Sequence, residues 1–330
     1  MRRFASNGNQ NAASQSVMNI PGPQILSAQD RDIARAAQVL RDGGLVAFPT
    51  ETVYGLGADA RNGKAVARIY AAKGRPSFNP LIVHVASMEQ ARRLAVWSDR
   101  ASLLANRFWP GPLSLVLPLA PDHGLSSLVT AGLDSVAIRV PAHPAAAALL
   151  AAFDGPVAAP SANPSGRISP TTAQHVRHGL GGKVDAILDD GPCPVGLEST
   201  IVGLHPDPQL LREGGIPRED IEAVLRVPLA NPVTDAISAP GQMTSHYAPR
   251  ARVRLNATSR REGEVLLGFG DMNCDLNLSR ASDLVEAAAH LFDYLHQLDA
   301  KGLPIAVAPI PHTGLGAAIN DRLERAASPR

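Results

Sequence analysis

The feature that most constrains this chain is a short apolar strand that opens into a polar, glycine-bearing loop, followed soon after by a second such junction. Leu45-Val-Ala-Phe48 reads as a buried strand. It breaks at Pro49 into two threonines, a carboxylate and two glycines, ending at Gly57. Lys73-Gly-Arg-Pro76 and Asn79-Pro80 then lead into a second apolar strand, Leu81-Ile-Val-His-Val85. α/β folds place ligands at loops of this kind. One loop rich in hydroxyls and one carrying cations predict a site for an anionic small molecule. Two ordinary turns are the plainer reading, and the rest of the chain decides between them.

Periodicity organises what surrounds these loops. Helices are expected at 30–41, stopped by Gly43, and at 64–72, stopped by Gly74. A third is opened by the capping-box pattern Ser87-Met-Glu-Gln90, and a fourth covers 98–107. Strands are expected at 113–117, 136–140 and 157–159, with an alanine-rich helix at 145–153. Pro170 is expected to start a helix capped by Ser169. Strands at 186–188, 200–204 and 209–211 and a helix at 217–225 follow. The mixture predicts an α/β domain with a twisted mixed sheet and flanking helices. Residues 227–250 lack any period and read as a linker. Its end, Ser245-His-Tyr-Ala-Pro249, carries an aromatic and a histidine that a passive tether does not need, so a lid is expected. Strands near 252–255, 264–267 and 305–308 and helices at 282–298 and 317–327 predict a small second α/β domain. The division expected is a disordered tail at 1–22, a catalytic domain at 23–226, a linker at 227–250 and a small domain at 251–330.

Composition excludes several function classes. Hydrophobic residues make up 45% of the 330, but aromatics only 4%, so the core must be Ala, Val, Leu and Ile. A net charge of +1 gives no global field for nucleic acid or a membrane surface, so any basic site must be local. Only four lysines occur, which draws notice to Lys73. Cys193 and Cys274 lie far apart without metal-type spacing, which fits a reducing, cytoplasmic setting. No apolar run approaches the roughly 20 residues of a membrane helix.

Further polar clusters border the later strands. Ser135-Val-Ala-Ile-Arg-Val-Pro141 ends a strand on Arg139, whose planar fork suits a carboxylate or phosphate, although a surface ion pair is the alternative. Ala158-Ala-Pro-Ser-Ala-Asn163 and Ile168-Ser-Pro-Thr171 set hydroxyls and an amide after another strand. Gly196-Leu-Glu-Ser-Thr-Ile-Val202 and Leu210-Leu-Arg-Glu-Gly-Gly215 repeat the pattern.

The ordered set FPTETVYGLG, KGRPxxNPLIVH, FWPGPL, TAGxxxVAIRVP, APSAN, SPT, ESTIV, LLREG and APGQMxSHYAP, over residues 25–250, resembles the YrdC-like family of L-threonylcarbamoyladenylate synthases. The segment Gly314-Leu-Gly-Ala-Ala-Ile-Asn-Asp-Arg-Leu-Glu-Arg325 resembles the extra domain of the longer members. The resemblance implies a YrdC-like sheet domain followed by a small Rossmann-like domain. It implies synthesis of threonylcarbamoyl-AMP from L-threonine, bicarbonate and ATP with release of pyrophosphate, Mg²⁺ entering with ATP. A downstream complex would move the threonylcarbamoyl group to tRNA, which this chain could also touch.

By the same resemblance, threonine lies near Thr52, His84, Arg139, Ala159 and Ser199. Lys73, Arg75 and Asn79 line the phosphate side, Lys73 and Arg75 acting electrostatically and not as nucleophiles. Ser135, Ser161, Ser169, Arg212 and Tyr247 complete the ATP site. His84 taken alone reads as a core histidine sooner than as a ligand, and Glu198 as a metal or water contact or a structural ion pair. The competing function is a non-catalytic RNA-binding module lined by Lys73, Arg75, Arg139 and Arg212, which the scarcity of aromatics for base stacking argues against. A related carbamoyl-transfer maturation enzyme would carry cysteine pairs that this chain lacks.

Overall fold

The computed structural model describes residues 22–232 and 246–329. The tail expected before Gly22 and the middle of the linker, Ser245 included, lie outside the described residues. Ten strands build the larger sheet. In chain order they are β1 (Gln24–Ser27), β2 (Val46–Phe48), β3 (Gly55–Asp59), β4 (Ile82–His84), β5 (Leu113–Pro118), β6 (Ser135–Arg139), β7 (Val157–Ala158), β8 (Ala186–Asp189), β9 (Thr200–Gly203) and β10 (Gln209–Arg212). Their spatial order is β1-β8-β2-β3-β7-β4-β6-β5-β9-β10, with parallel and antiparallel pairs interleaved. The accompanying helices are α1 (Asp30–Arg41), α2 (Gly63–Lys73), α3 (Met88–Leu94), α4 (Asp99–Phe108), α5 (Ser127–Thr130), α6 (Pro144–Phe153), α7 (Ala173–Leu180) and α8 (Arg218–Leu225).

Two local expectations are corrected. The glycines after Tyr54 read as loop, yet they form β3. A Cβ on Gly57 would sit 2.9 Å from both the Phe48 ring and Val157, so the glycine permits close packing and does not mark a turn. Pro170 does not begin a helix, and Ser169 caps nothing. The Pro170 carbonyl accepts from the Tyr54 amide at 2.8 Å and the Ser169 hydroxyl donates to Glu198 at 2.5 Å, which commits both residues elsewhere. Thr172 is the real cap, accepting from the His175 amide at 3.2 Å, and α7 starts at Ala173. The Ser87 cap on α3 is as expected, but Gln90 reaches back to the Ala86 amide, one residue before the cap itself.

Strand alternation sorts the side chains onto two unlike faces. On one face Ala47, Leu56, Val83, Leu115, Ile138 and Val202 pack against α2, α4 and α7 in the main core. Each fully buried Leu, Ile or Val there stabilises by about 1.5–3 kcal/mol. On the other face α1 and α6 cover Val46, Phe48, Val157 and Leu188. That cover stops at β7. Beyond it the same face shows only a small apolar cluster, Ile82, Val116, Ala137 and Ile201, with no helical residue belonging to it. Half of one sheet face is therefore left without a helical cover, although its residues are buried.

A second, four-stranded sheet is all parallel and ordered β11-β14-β12-β13, from β11 (Val253–Arg254), β12 (Val265–Gly268), β13 (Leu276–Asn277) and β14 (Ile305–Val307). It packs against α9 (Leu284–Asp299) and α10 (Leu315–Ala327) through Leu267, Leu291, Phe292, Leu295, Ile319 and Leu323. Val53, Ile168 and Leu197 of the larger body join this same core. Among the described residues no helix is long and apolar enough to cross a membrane.

Candidate functional site

The half-face without a helix carries a cluster of buried polar side chains. Register pairs His84 with Arg139 and Ile82 with Ala137, so Ile82, Ala137, Val116 and Ile201 form a floor and the polar groups stand at one end of it. A cavity sits here. Thr52, Arg75, His84, Arg139, Ala159, Ser161, Ser199, Arg212 and Tyr247 all line it, and so do Thr50, Glu198 and His246. Four expected residues stand outside that lining. The Lys73 ammonium is buried and donates to the carbonyls of Ser161 at 2.6 Å and Asn163 at 2.5 Å, so it braces the loop that carries Ser161. Asn79 accepts from Arg75 Nη2 at 2.6 Å and orients that guanidinium. Ser169 is taken up by Glu198. Ser135 lies on the same sheet face as Arg139 but four residues back along β6, about 13 Å away.

Each cation in the cavity is buried and braced. Arg139 is 3% exposed; its Nη1 donates to the Thr52 hydroxyl at 2.8 Å and its Nε to the Gly111 carbonyl at 3.1 Å. Its Nη2 lies 2.7 Å from Glu51 Oε1, an ion contact whose angles fall outside hydrogen-bond geometry. Glu51 is fixed in turn by the Ala142 amide at 3.1 Å. The surface ion pair considered for Arg139 is thus a buried one. Arg212 donates to the Ser199 carbonyl at 2.8 Å and hydroxyl at 3.1 Å. Burial pulls Arg75 down to about 10, which still leaves it cationic at neutral pH.

Besides Arg139 Nη2 and Glu51 Oε1, which face each other as an ion pair, three buried polar atoms have no hydrogen-bond partner among the described residues: His84 Nδ1, His246 Nδ1 and the Tyr247 hydroxyl. All three residues line the cavity. Buried polar groups are normally paired, so this clustering marks a place built to receive polar ligand atoms. Burial, with Arg139 adding, pushes His84 down to about 3. Burial likewise pushes His246 down to about 3, against the opposing pull of Glu198. Both imidazoles are neutral at pH 7. Tyr247 is held at φ 59, a left-handed conformation that costs an aromatic residue roughly 1–3 kcal/mol and gathers at functional sites.

Sequence reasoning passed over Glu51 and Arg322 as site-supporting residues and gave His246 no role. Glu51 stood inside the first motif and could have been found there. His246 was named only as linker chemistry. Arg322 stands inside the quoted C-terminal motif, but nothing local points to its partner Glu198, 124 residues away. Glu198 resolves as an ion pair, 2.9 Å from Arg322 Nε.

The fold and cavity together define an α/β protein with an arginine-lined pocket on a half-face of the sheet that no helix covers. Residues 38–214 match the Sua5–YciO–YrdC family, described as telomere recombination. Residues 216–328 match the threonylcarbamoyl-AMP synthase C-terminal domain. The Bacillus subtilis threonylcarbamoyl-AMP synthase is 44% identical, the alignment covering 92% of this chain and 95% of the relative. The Pyrococcus abyssi synthase is 42% identical over 89% of this chain and 94% of its own length. The crystal structure of Pyrococcus abyssi Sua5 complexed with L-threonine superposes with a TM-score of 0.85 at 40% identity, covering 92% of this chain and 97% of that one. The chain belongs to the Sua5–YciO–YrdC family, in its long form with the synthase C-terminal domain.

Proposed function

We propose that this protein joins L-threonine, bicarbonate and ATP into threonylcarbamoyl-AMP and pyrophosphate, for threonylcarbamoyladenosine modification of tRNA. The observation that carries the reading is the meeting of three buried guanidiniums, Arg75, Arg139 and Arg212, in one cavity of a chain that aligns with synthases over nearly its whole length. The threonine in the Pyrococcus abyssi relative supports an amino-acid subsite.

The threonine amine forms a carbamate, taking up bicarbonate with loss of water or carbon dioxide with loss of a proton to solvent. A carbamate oxygen then attacks the α-phosphorus of ATP, an oxygen–phosphorus bond forms, and pyrophosphate leaves. Such a step needs alignment and charge neutralisation more than a protein nucleophile. Arg139, with Thr52, His84, Ala159 and Ser199, takes the threonine, its Nη2 exchanging Glu51 for the substrate carboxylate. Arg75 and Arg212 face the phosphates, with Ser161 beside them. Lys73, Asn79 and Ser169 act one layer out, bracing Ser161, Arg75 and Glu198. The apolar floor of Ile82, Ala137 and Val116 runs from Arg139 toward Ser135, a length that suits an extended nucleotide.

Among the described residues no cluster of three or more histidine, cysteine or acidic side chains is placed to hold a metal. Glu51 and Glu198 are already committed to arginines. In this proposal Mg²⁺ enters with ATP as part of the substrate. His246 and Tyr247 close the cavity where the linker returns, Ala248 pairing with Arg167. We assign this return the role of a lid that keeps water from the mixed anhydride. A cytoplasmic location and delivery to a tRNA-modifying complex complete the proposal.

Pyrophosphate release with each substrate omitted in turn tests it. Release is expected only with threonine, bicarbonate and Mg·ATP all present. An equal rate without threonine would defeat the synthase reading, and binding of RNA without any turnover would favour the module.

A further inference from the structure

A side chain of α10 stands behind two residues of the cavity wall. Arg322, on α10, is fully buried. Most of its partners lie outside its own helix. Nε donates to Glu198 Oε2 at 2.9 Å, Nη2 donates to the Glu213 carbonyl at 2.8 Å, and the guanidinium lies 5.0 Å from the Tyr247 ring centroid. Only Asp321, at 2.6 Å from Nη1, is local. Two of these partners, Glu198 and Tyr247, line the cavity.

Charge makes the arrangement consequential. Glu198 is a buried carboxylate in a cavity that must take a polyanion. Its Oε1 accepts from Ser169 and its Oε2 from Arg322. Burial alone would favour its neutral form, but Arg322 first, then Arg212 and the Ser169 hydroxyl, hold it ionised. A carboxylate deprived of Arg322 has Arg212 as its remaining cation, and Arg212 is then drawn away from phosphate. Alternatively it stays unpaired and repels the nucleotide.

We propose that Arg322 is a positioning residue for the synthase reaction: it neutralises and pins Glu198 and supports the Tyr247 ring, so that the carboxylate neither draws Arg212 toward itself nor repels the nucleotide phosphates. This rests on the ATP-dependent reading above. It gives the C-terminal segment a definite task, the completion of charge balance in a site built mostly by the first 226 residues.

The test compares full-length Arg322→Gln, Arg322→Lys and the double variant Arg322→Gln/Glu198→Gln with the unaltered protein, by calorimetric titration with Mg·ATP and separately with L-threonine. Thermal melts establish that each is folded. Arg322→Gln is expected to weaken ATP by about ten- to a hundredfold, the loss of a charge-assisted pair. Threonine binding should change much less. Arg322→Lys keeps the charge without the fork and should fall between. The double variant removes the stranded charge and should recover most of the ATP affinity. Recovery is what a purely structural role cannot give. Equal losses for ATP and threonine, or a double variant no better than Arg322→Gln, would overturn the proposal. Should the unaltered protein bind neither ligand, the synthase reading fails instead. If Arg322→Gln does not fold, the Lys variant and the double variant carry the comparison.

Discussion

At the scale of single residues, the account turns on buried charges that are already paired before any substrate arrives. Arg139 faces Glu51, so Arg139→Ala does two things at once: it removes the threonine partner and strands a buried carboxylate. Breaking such a pair costs about 3–5 kcal/mol of stability, which would obscure a binding effect. The cleaner comparison sets Arg139→Ala/Glu51→Gln against Glu51→Gln alone. Threonine affinity should fall about ten- to a hundredfold between them, with a smaller change for ATP. Arg139→Lys should not restore it fully, since lysine lacks the planar fork. Calorimetry showing equal loss for both ligands would move Arg139 to the phosphates or to the fold. Histidines set a second expectation. His84, His175 and His246 are each pushed down to about 3, chiefly by burial. The unfolded chain, with histidines near 6.5, takes up these protons first. Their stability contribution is therefore complete above about pH 6.5 and is lost progressively on acidification toward pH 3, at up to about 1.4 kcal/mol per pH unit for each. Melting temperature should fall steadily from pH 6.5 to 4.5. A flat profile there would mean that these imidazoles are accessible to protons in the folded state.

At the scale of elements, what the sequence disclosed follows from the reach of each signal. Strands with clean apolar runs and helices with periodic faces and near caps, such as α1, α2 and α9, lie within a residue or two of expectation. β3 did not read as a strand, because Gly55 and Gly57 are needed by the Phe48 ring, which is adjacent only once the sheet has formed. Ser169 and Pro170 imitated a helix start because the Glu198 and Tyr54 that engage them are distant in sequence. The same limit applies to the site. Loops announced Thr52, Arg75, Arg139 and Ser161 as polar groups beside strands, and the motif resemblance gathered them. Nothing local could tell that Lys73 turns to two carbonyls or that Ser135 stands at the far end of the apolar floor. The linker return gives a test at this scale. Tyr247→Ala removes the ring from the cavity wall while leaving Arg75, Arg139 and Arg212 in place. Pyrophosphate release should persist while recovered threonylcarbamoyl-AMP drops several-fold, because a more open site admits water to the anhydride. An unchanged ratio of nucleotide product to pyrophosphate would reduce the segment to a tether.

At the scale of the whole molecule, the two sheets act as one frame. The larger sheet is covered by helices on a single face and on half of the other, and the remaining half is where buried arginines and apolar floor meet. The second sheet shares a core with the first through Val53, Ile168 and Leu197, and its last helix sets Arg322 behind the cavity wall. A net charge of +1 means that this local concentration of cations, and not a global field, must attract the anionic substrates. The central claim is that this frame builds a carbamate–phosphate anhydride. Its most direct test supplies ¹³C-bicarbonate with L-threonine and Mg·ATP and examines the nucleotide products by mass spectrometry within seconds of mixing. The account predicts threonylcarbamoyl-AMP carrying one ¹³C, formed in step with pyrophosphate and absent when threonine is withheld. Pyrophosphate and AMP without any labelled nucleotide, at every time sampled, would contradict it.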